Sequence, residues 1–155
     1  MKETLLDEID LRILRALQEN ARMSTKQLAA KVNLSVTPVF ERLKKLEAGG
    51  FILKYVAVLD AARLGKGFTV FCNVKLKQMN RRVAEEFVSL IQDIPQVSEC
   101  YNISGEYDYL LKIQAPDMKY YNDFIINVLG ASDAIGSILS SFVMREIKNT
   151  HGLYL

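Results

Sequence analysis

The sequence lacks the features on which membrane, secreted and metal-binding proteins depend. It has no apolar run of about eighteen residues, the length that spans a bilayer, and no charged-then-apolar leader. Cys72 and Cys100 stand apart in apolar runs, without a CxxC pair or a Cys/His cluster. We therefore expect a cytoplasmic protein with no membrane partner, two buried thiols, no disulfide and no metal site.

Catalytic motifs are equally scarce. The one histidine, His151, lies in NTHGLYL with no cysteine, aspartate or second histidine beside it. No nucleophile elbow, phosphate-binding glycine loop or metal-ligand spacing occurs. The sequence therefore predicts a protein that is not an enzyme, with no catalytic residues and no cofactor.

Apolar residues and basic charge are what the chain does have. Half of its 155 residues are hydrophobic, which is enough for one ordinary domain or two small ones. The net charge is only +2, but six basic residues against two acidic ones fall between Lys26 and Lys54. Residues 66–155 instead hold nine basic and ten acidic residues. The local excess of positive charge favours a nucleic-acid partner for the N-terminal part.

The stretch from Ser35 to Ile52, SVTPVFERLKKLEAGGFI, reads as a helix with a defined start and end. Ser35 or Thr37 can cap it, Pro38 suits its first turn, and two glycines follow it. Apolar spacing predicts a packing face made of Val36, Val39 or Phe40, Leu43 and Leu46. The opposite face is predicted to carry Pro38, Glu41, Arg42 and Lys45. A β-rich run over 51–58 then predicts a wing.

Two helices are predicted before this one. Asp7 precedes an apolar stripe that ends near Asn20, and Ser24 with Gln27 forms a capping box ahead of a helix over about 25–32. A short turn joins the second helix to the third, so the order predicts a winged helix-turn-helix. Spacing alone leaves a second interpretation open, a small helical bundle with a solvated basic face.

The remainder of the chain predicts a different architecture after a hinge at 60–67, DAARLGKG. Strand and helix patterns alternate in the order βαββαβ: a strand at 68–77, a helix at 80–93, strands at 97–104 and 107–115, a helix after Asp117, and a strand at 138–147. This order is that of a ferredoxin-like sandwich. The fold class is therefore α+β, with a winged helix-turn-helix at 1–59 and a βαββαβ domain at 68–155.

Both faces of the predicted sheet carry apolar side chains. They come from Phe71, from Tyr109 or Leu110, and from Phe142 or Val143. Helices cover only one face of such a sheet, so we expect a second subunit to cover the other and the protein to be a homodimer.

Three segments together resemble the Lrp/AsnC, or feast/famine, family of transcription regulators. They are LDEIDLRILRALQENAR at 6–22, LSVTPVFERLKKLEAGGFI at 34–52 and VSECYNISGEYDYLLKIQAPDMKYYNDF at 97–124. The resemblance implies an N-terminal domain that binds double-stranded DNA and a C-terminal domain that dimerises. It further implies assembly of dimers into octamers or similar rings, and an amino-acid effector bound between dimers.

The resemblance also implies roles for particular residues. Ser35, Thr37, Pro38, Val39 and Arg42 would lie nearest the bases. Lys26, Lys45 and Lys54 would contact phosphate.

The effector site implied by the resemblance is the turn Gly105-Glu106-Tyr107-Asp108. Asp108 would bind the ammonium group, N–H groups around Gly105 the carboxylate, and Tyr107 would close the wall. Ser140 and Ser141 would come from a neighbouring dimer. Without the resemblance, a tight hairpin turn is the favoured explanation for Gly105 and Asp108.

Three other functions compete with regulation by an amino acid. One is an architectural DNA-binding protein without an effector, and a second is an amino-acid sensor that does not bind DNA. The third is a tetrapyrrole decarboxylase of similar fold, which depends on histidine-rich sites that this chain lacks.

Overall fold

The computed structural model describes residues 6–155, which form two compact units. The first unit contains residues 6–58 together with 148–155, and the second contains residues 59–147. Residues 1–5 of the expected N-terminal domain lie outside the described residues. The sequence predicts 148–155 in the C-terminal domain, but in the structure Gln18 Nε2 donates to the Leu153 carbonyl at 3.1 Å. This contact places the last residues on the first unit.

Three helices build the first unit. They are α1 (Glu8–Glu19), α2 (Thr25–Val32) and α3 (Val36–Ala48). Asp7 and Asp10 exchange side chain-to-backbone hydrogen bonds at the start of α1, and Ser24 and Gln27 do the same at the start of α2. Both predicted helix starts therefore rest on capping boxes, which satisfy N–H groups that a helix leaves unpaired.

The core of the first unit is formed where the three helices meet. Its buried side chains are Ile13, Ala16, Leu17, Leu28, Ala29, Val32, Val39 and Leu46. Burying one large aliphatic side chain stabilises a fold by about 1.5–3 kcal/mol, so the cluster supplies most of the cohesion of this small unit.

The predicted wing strand is not formed within the chain. Gly50 adopts a left-handed conformation with φ of +74°, and the Phe51 N–H bonds the Leu46 carbonyl at 3.0 Å, which ends α3. Residues 51–58, all of which the structure describes, then form neither a helix nor a strand. Apolar, β-branched residues form a strand only where a neighbour completes the hydrogen-bond ladder.

The second unit is one antiparallel sheet with helices. Its elements are β1 (Phe68–Leu76), α4 (Arg81–Gln92), β2 (Val97–Asn102), β3 (Tyr109–Ala115), α5 (Met118–Phe124), a π-helical turn (Ile125–Leu129) and β4 (Ile135–Phe142). The strand order is β2-β3-β1-β4, with β1 central and antiparallel to both of its neighbours. The predicted α+β class and the βαββαβ order are confirmed.

Alternation along β1 separates a covered face from an open face. Val70, Cys72 and Val74 are buried with the side chains of α4 and α5, whereas Phe71 and Asn73 point to the other side and are only partly buried. Register places Leu110 opposite Asn73. Phe71 and Leu110 therefore both lie on the open face, which confirms that this face carries apolar side chains as well.

Register and ring contacts also show which face Tyr109 and Phe142 occupy. Tyr109 is buried on the covered face, where its ring centroid lies 4.5 Å from that of Phe87. Phe142 pairs with Val70 and packs against Tyr121, with ring centroids 5.6 Å apart. Both aromatic residues therefore belong to the helix side.

β4 starts earlier and ends earlier than the sequence predicts. Val70 pairs with Phe142, and the Val143 N–H bonds the Thr69 carbonyl at 3.0 Å. Because β1 begins at Phe68, the register leaves no residue of β1 to pair with Ile147, although Ile147 is apolar. The end of β4 is set by the start of its neighbour.

The two cysteines lie in different environments. Cys72 is buried on the central strand, as predicted, whereas Cys100 is exposed on the edge strand β2. The prediction of a buried Cys100 was wrong because a strand at the edge of a sheet has a neighbour on one side only. None of the helices among residues 6–155 has the length and apolar character to cross a membrane.

Candidate nucleic-acid interface and effector site

The N-terminal turn of α3 is open to solvent. Ser35, Thr37 and Pro38 are all exposed, and the Ser35 side chain makes no capping hydrogen bond. The first N–H groups of a helix are unpaired within the helix and attract anions such as phosphate. The structure therefore leaves these three predicted residues available to a ligand at the start of α3.

Val39 and Arg42, by contrast, face the interior of the first unit. Val39 is fully buried against α1 and α2, which contradicts its predicted place beside the bases. Arg42 Nη1 donates to Asp7 Oδ2 at 2.6 Å and to Asp10 Oδ1 at 2.7 Å. Val39 and Leu46 are both buried, and Arg42 lies three residues after the first and four before the second. It therefore shares their stripe of α3 rather than the outer face.

These ion pairs shift the pKa values of two of their members. The hydrogen bonds that Arg42 donates to the carboxylates of Asp10 and Asp7 raise the pKa of Arg42 above its ordinary value. The backbone N–H of Asp10, followed by the Arg42 guanidinium, lowers the pKa of Asp7 below its ordinary value. Arg42 and Asp7 are thus both charged at neutral pH.

The outer face of α3 carries two residues that the sequence does not place there: Lys44, and Phe40, which is an alternative member of the predicted packing face. Phe40 and Lys44 are exposed there, and the Lys44 ammonium lies 4.6 Å from the centroid of the Phe40 ring. Counting in steps of three and four from Thr37 reaches Phe40, Glu41, Lys44 and Ala48, and this spacing could have identified the face. Of the predicted packing face, Val39 and Leu46 are buried and Leu43 packs partly buried against them, whereas Val36 and Phe40 are exposed.

The predicted phosphate-contacting lysines are accessible. Lys26 on α2, Lys45 on α3 and Lys54 beyond Gly50 are all exposed. The segment that carries Lys54 is held to α3, because Tyr55 Oη donates to Glu47 Oε1 at 2.8 Å. Burial, followed by the nearby Glu47 carboxylate, raises the pKa of Tyr55 to about 12, so this hydroxyl remains a donor at neutral pH.

The turn that carries the predicted effector residues joins β2 to β3. Gly105 has a φ of +131°, a conformation that favours glycine, and Glu106 beside it is exposed. Tyr107 is partly buried. Asp108 Oδ2 accepts a hydrogen bond from the Leu76 N–H at 2.8 Å, which ties the turn to the end of β1. The Asp108 side chain thus bonds a neighbouring strand, while its carbonyl accepts from the Ile103 N–H within the turn.

Ser140 and Ser141 lie on opposite faces of the sheet. Ser140 pairs with Cys72 on the covered face, and its Oγ lies 2.6 Å from Tyr121 Oη. Ser141 pairs with Phe71 on the open face and is exposed. Burial raises the pKa of Cys72 to about 11 and also raises the pKa of Tyr121, so this cluster stays neutral at physiological pH. The structure does not bring the two serines to one surface.

Metal chemistry finds no support in the part of the chain that the structure describes. No group of three or more His, Cys, Asp or Glu residues between 6 and 155 is arranged to bind a metal ion. His151 is exposed in the C-terminal segment.

Comparison with known families accounts for both units. Residues 6–52 match the family described as winged helix-turn-helix DNA-binding, and residues 69–153 match the Lrp/AsnC ligand binding domain. The fold and these matches define a helix-turn-helix protein with a separate ligand-binding domain. The chain belongs to the Lrp/AsnC family of transcription regulators.

Individual relatives resemble the chain over nearly its full length. It is 40% identical to the transcriptional regulator AzlB of Bacillus subtilis, over 94% of this chain and 93% of that protein. It is 38% identical to the proline dehydrogenase transcriptional activator of Rhizobium radiobacter, over 94% and 93%. Its fold matches the transcriptional regulator NMB0573 of Neisseria meningitidis, solved in complex with L-Met, with a TM-score of 0.93, 34% identity and 97% coverage of both chains.

Proposed function

We propose that this protein is a sequence-specific, DNA-binding transcriptional regulator of amino-acid-related metabolism whose activity an amino acid modulates. The observation that carries the proposal is the match of both units to the two domains of Lrp/AsnC regulators. Relatives that regulate amino-acid metabolism, and a structural neighbour that holds L-Met, support the choice of effector class. The protein acts in the cytoplasm and without catalysis.

The DNA surface in this proposal centres on the outer face of α3. Ser35, Thr37 and Pro38 approach the bases, because they are exposed at the end of the helix where N–H groups are unpaired. Phosphate contacts come from exposed lysines around them: Lys26, Lys44, Lys45 and Lys54. Val39 supports this surface from the core.

A second copy of the chain covers the open face of the sheet. Leu139 and Tyr101 are each about half exposed there, at 50% and 51%, alongside the partly buried Phe71 and Leu110. Lys112 donates to Glu99 on the same face at 2.8 Å. These two charges compensate each other, which lowers the cost of burying the face in a homodimer. Dimers then assemble further into an octamer or a similar ring.

The effector binds where the 105–108 turn of one dimer meets a neighbouring dimer. An amino acid needs an anion for its ammonium group and N–H donors for its carboxylate. Asp108 supplies the first and the backbone around Gly105 supplies the second. Glu106 and Tyr107 flank them.

DNA specificity is tested by selecting sequences from a random library with the purified protein. The dissociation constant is then measured on the selected DNA and on a scrambled copy at several salt concentrations. We expect at least about a thousandfold preference for the selected sequence. Steep salt dependence with nearly equal affinity for both sequences would instead indicate an architectural DNA-binding protein.

Effector binding is tested by thermal melting and light scattering with each of the twenty amino acids at millimolar concentration. A selective rise in melting temperature is expected from the amino acid that binds the folded state. The Asp108→Ala variant should lose that rise. A response that persists unchanged in this variant would contradict the assigned site.

A further inference from the structure

Arg42 connects the helix proposed to read DNA to another element, because its guanidinium bonds the start of α1. One nitrogen, Nη1, reaches both Asp7 Oδ2 and Asp10 Oδ1. The Arg42 side chain is 29% exposed and that of Asp10 is 16% exposed, so the contact with Asp10 is largely screened from water. Ion pairs that are partly withdrawn from water in this way hold geometry better than exposed ones.

The same two aspartates form the capping box of α1. In each carboxylate, one oxygen accepts a backbone hydrogen bond and the other accepts from Arg42. Asp7 Oδ1 accepts from the Asp10 N–H at 2.9 Å, and Asp10 Oδ2 accepts from the Asp7 N–H at 3.2 Å. The remaining oxygen of each carboxylate accepts from Arg42. All four carboxylate oxygens are therefore engaged, and the start of α1 and the middle of α3 are joined in one network.

We infer that Arg42, Asp7 and Asp10 are positioning residues that fix α3 for DNA, and that Arg42 itself reads no base. The inference rests on the proposed role of α3 in DNA recognition. An arginine bound to two carboxylates would have to give up both bonds to reach guanine, leaving two negative charges uncompensated beside the negatively charged DNA.

This inference predicts the opposite sign from a direct base contact when an aspartate is neutralised. If Arg42 reads DNA, then Asp10→Asn frees the guanidinium and removes a repelling charge, so affinity rises or stays constant. If the network positions α3, Asp10→Asn lowers the affinity for specific DNA by about fivefold or more. This loss is of the size measured for the interaction between two residues in contact. Asp7→Asn should act in the same direction, and it retains the cap because asparagine and aspartate are equivalent at that position.

Glu8→Gln is the matched control. Glu8 lies in the same first turn of α1 and bonds Arg15 rather than Arg42, with 2.8 Å between Arg15 Nη1 and Glu8 Oε1. Neutralising it removes the same charge from the same helix end without touching the network. We expect affinity for specific DNA to be unchanged or slightly higher in this variant.

Arg42→Met completes a double-mutant cycle with Asp10→Asn. Positioning predicts that the double variant loses no more affinity than the more strongly affected single variant, because both substitutions break one network. It also predicts an unchanged slope of log affinity against log salt, whereas loss of a phosphate contact lowers that slope by about one. In Arg42→Met, the preference for the selected sequence should weaken at every recognised base pair rather than at a single one.

All variants are measured as full chains on the selected and scrambled DNA, with thermal melting to verify that each is folded. A wild-type chain with no sequence preference would overturn the proposed function and the positioning role together. Wild-type specificity combined with Asp10→Asn and Asp7→Asn affinities equal to or above wild type would overturn the positioning role alone. Relaxed selectivity at a single base pair in Arg42→Met would also overturn the positioning role, because it would assign the guanidinium to that base.

Discussion

The two units expose opposite kinds of surface. The outer face of α3 in the first unit is mainly polar, with Thr37, Glu41 and Lys44 beside the exposed Phe40, whereas the open face of the sheet in the second carries Phe71, Leu110 and Leu139. Polar, basic surface suits a charged and hydrated partner such as DNA, and apolar surface suits a protein. The difference fits the two partners proposed for a chain with a net charge of only +2, DNA for the first unit and a second copy for the other.

The largest effects are expected from the two cores. Ile13 and Ile113 are both almost completely buried, at 0% and 1% exposure, in the first and second units respectively. Ile13→Ala and Ile113→Ala should each lower the free energy of unfolding by about 2–5 kcal/mol. Hydrogen exchange followed by mass spectrometry should locate the lost protection in α1–α3 for the first variant and in the sheet for the second. Equal loss in both units from either variant would contradict the separation of the cores.

The apolar face should be the most sensitive surface. Leu139→Asp places a charge in the proposed dimer interface twice, once from each copy, and should weaken the dimer by about a hundredfold or more. Sedimentation equilibrium measures the change. Ser89→Asp, an equivalent new charge on exposed α4, is the control and should leave the dimer intact. If the wild-type chain is already monomeric at micromolar concentration, the open face needs another explanation.

The two units should respond to opposite ends of the pH scale. Asp7 has a lowered pKa, so its contribution is present above its ordinary value of 3.8 and is lost as the pH falls through the folded value. Cys72 has a pKa raised from 9.0 to about 11, so its contribution is present below pH 9.0 and is lost as the pH rises toward 11. The alkaline loss is on the order of 1–2 kcal/mol.

Methyl NMR signals of Ile13 and Ile113 report on the two units separately. In moderate denaturant, the Ile13 signal should shift toward its unfolded position first on acidification, and the Ile113 signal first on addition of alkali. In Cys72→Ala the Ile113 signal should respond less to alkali than in the wild type. Each protein is measured at the denaturant concentration of its own unfolding midpoint. The reverse order of responses would show that other groups dominate.

The smallest effect is expected from single lysines of the DNA surface. Lys44→Ala should weaken binding to selected and scrambled DNA alike and reduce the slope of log affinity against log salt by about one. Lys119→Ala in the second unit removes an equally exposed lysine and should change neither quantity. Fluorescence anisotropy at several salt concentrations provides both measurements. A larger loss on selected than on scrambled DNA would assign Lys44 to base recognition.

Local sequence patterns predicted the elements well but their limits less well. The capping boxes at Asp7 and Ser24 lie where the sequence predicts them, because they depend on residues only three apart. The end of β4 was predicted too late, because it depends on where β1 begins. The strand expected over 51–58 failed for the same reason, since a strand needs a partner that sequence periodicity cannot supply.

In the candidate site, too, the sequence predicted exposed residues better than it predicted which residues pack in the core. Ser35, Thr37 and the three predicted lysines are exposed, as a role at the surface requires. The periodicity of α3 placed Val39 or Phe40 in the packing face, and Val39 is the buried one. The predicted place of Val39 beside the bases came from the family resemblance alone. Only packing against α1 and α2 selects the stripe that contains Val39 and Leu46.

The sequence by itself determined the family, the order of elements and the helix starts, because motifs, periodicity and caps are properties of neighbouring residues. Tertiary structure alone decided that Arg42 bonds Asp7 and Asp10, that Cys100 is exposed, and that Ser140 and Ser141 face opposite ways. Each of these facts depends on a partner dozens of residues away or on the position of a strand in its sheet. Strand register and helix packing determine them, and the spacing of neighbouring residues determines neither.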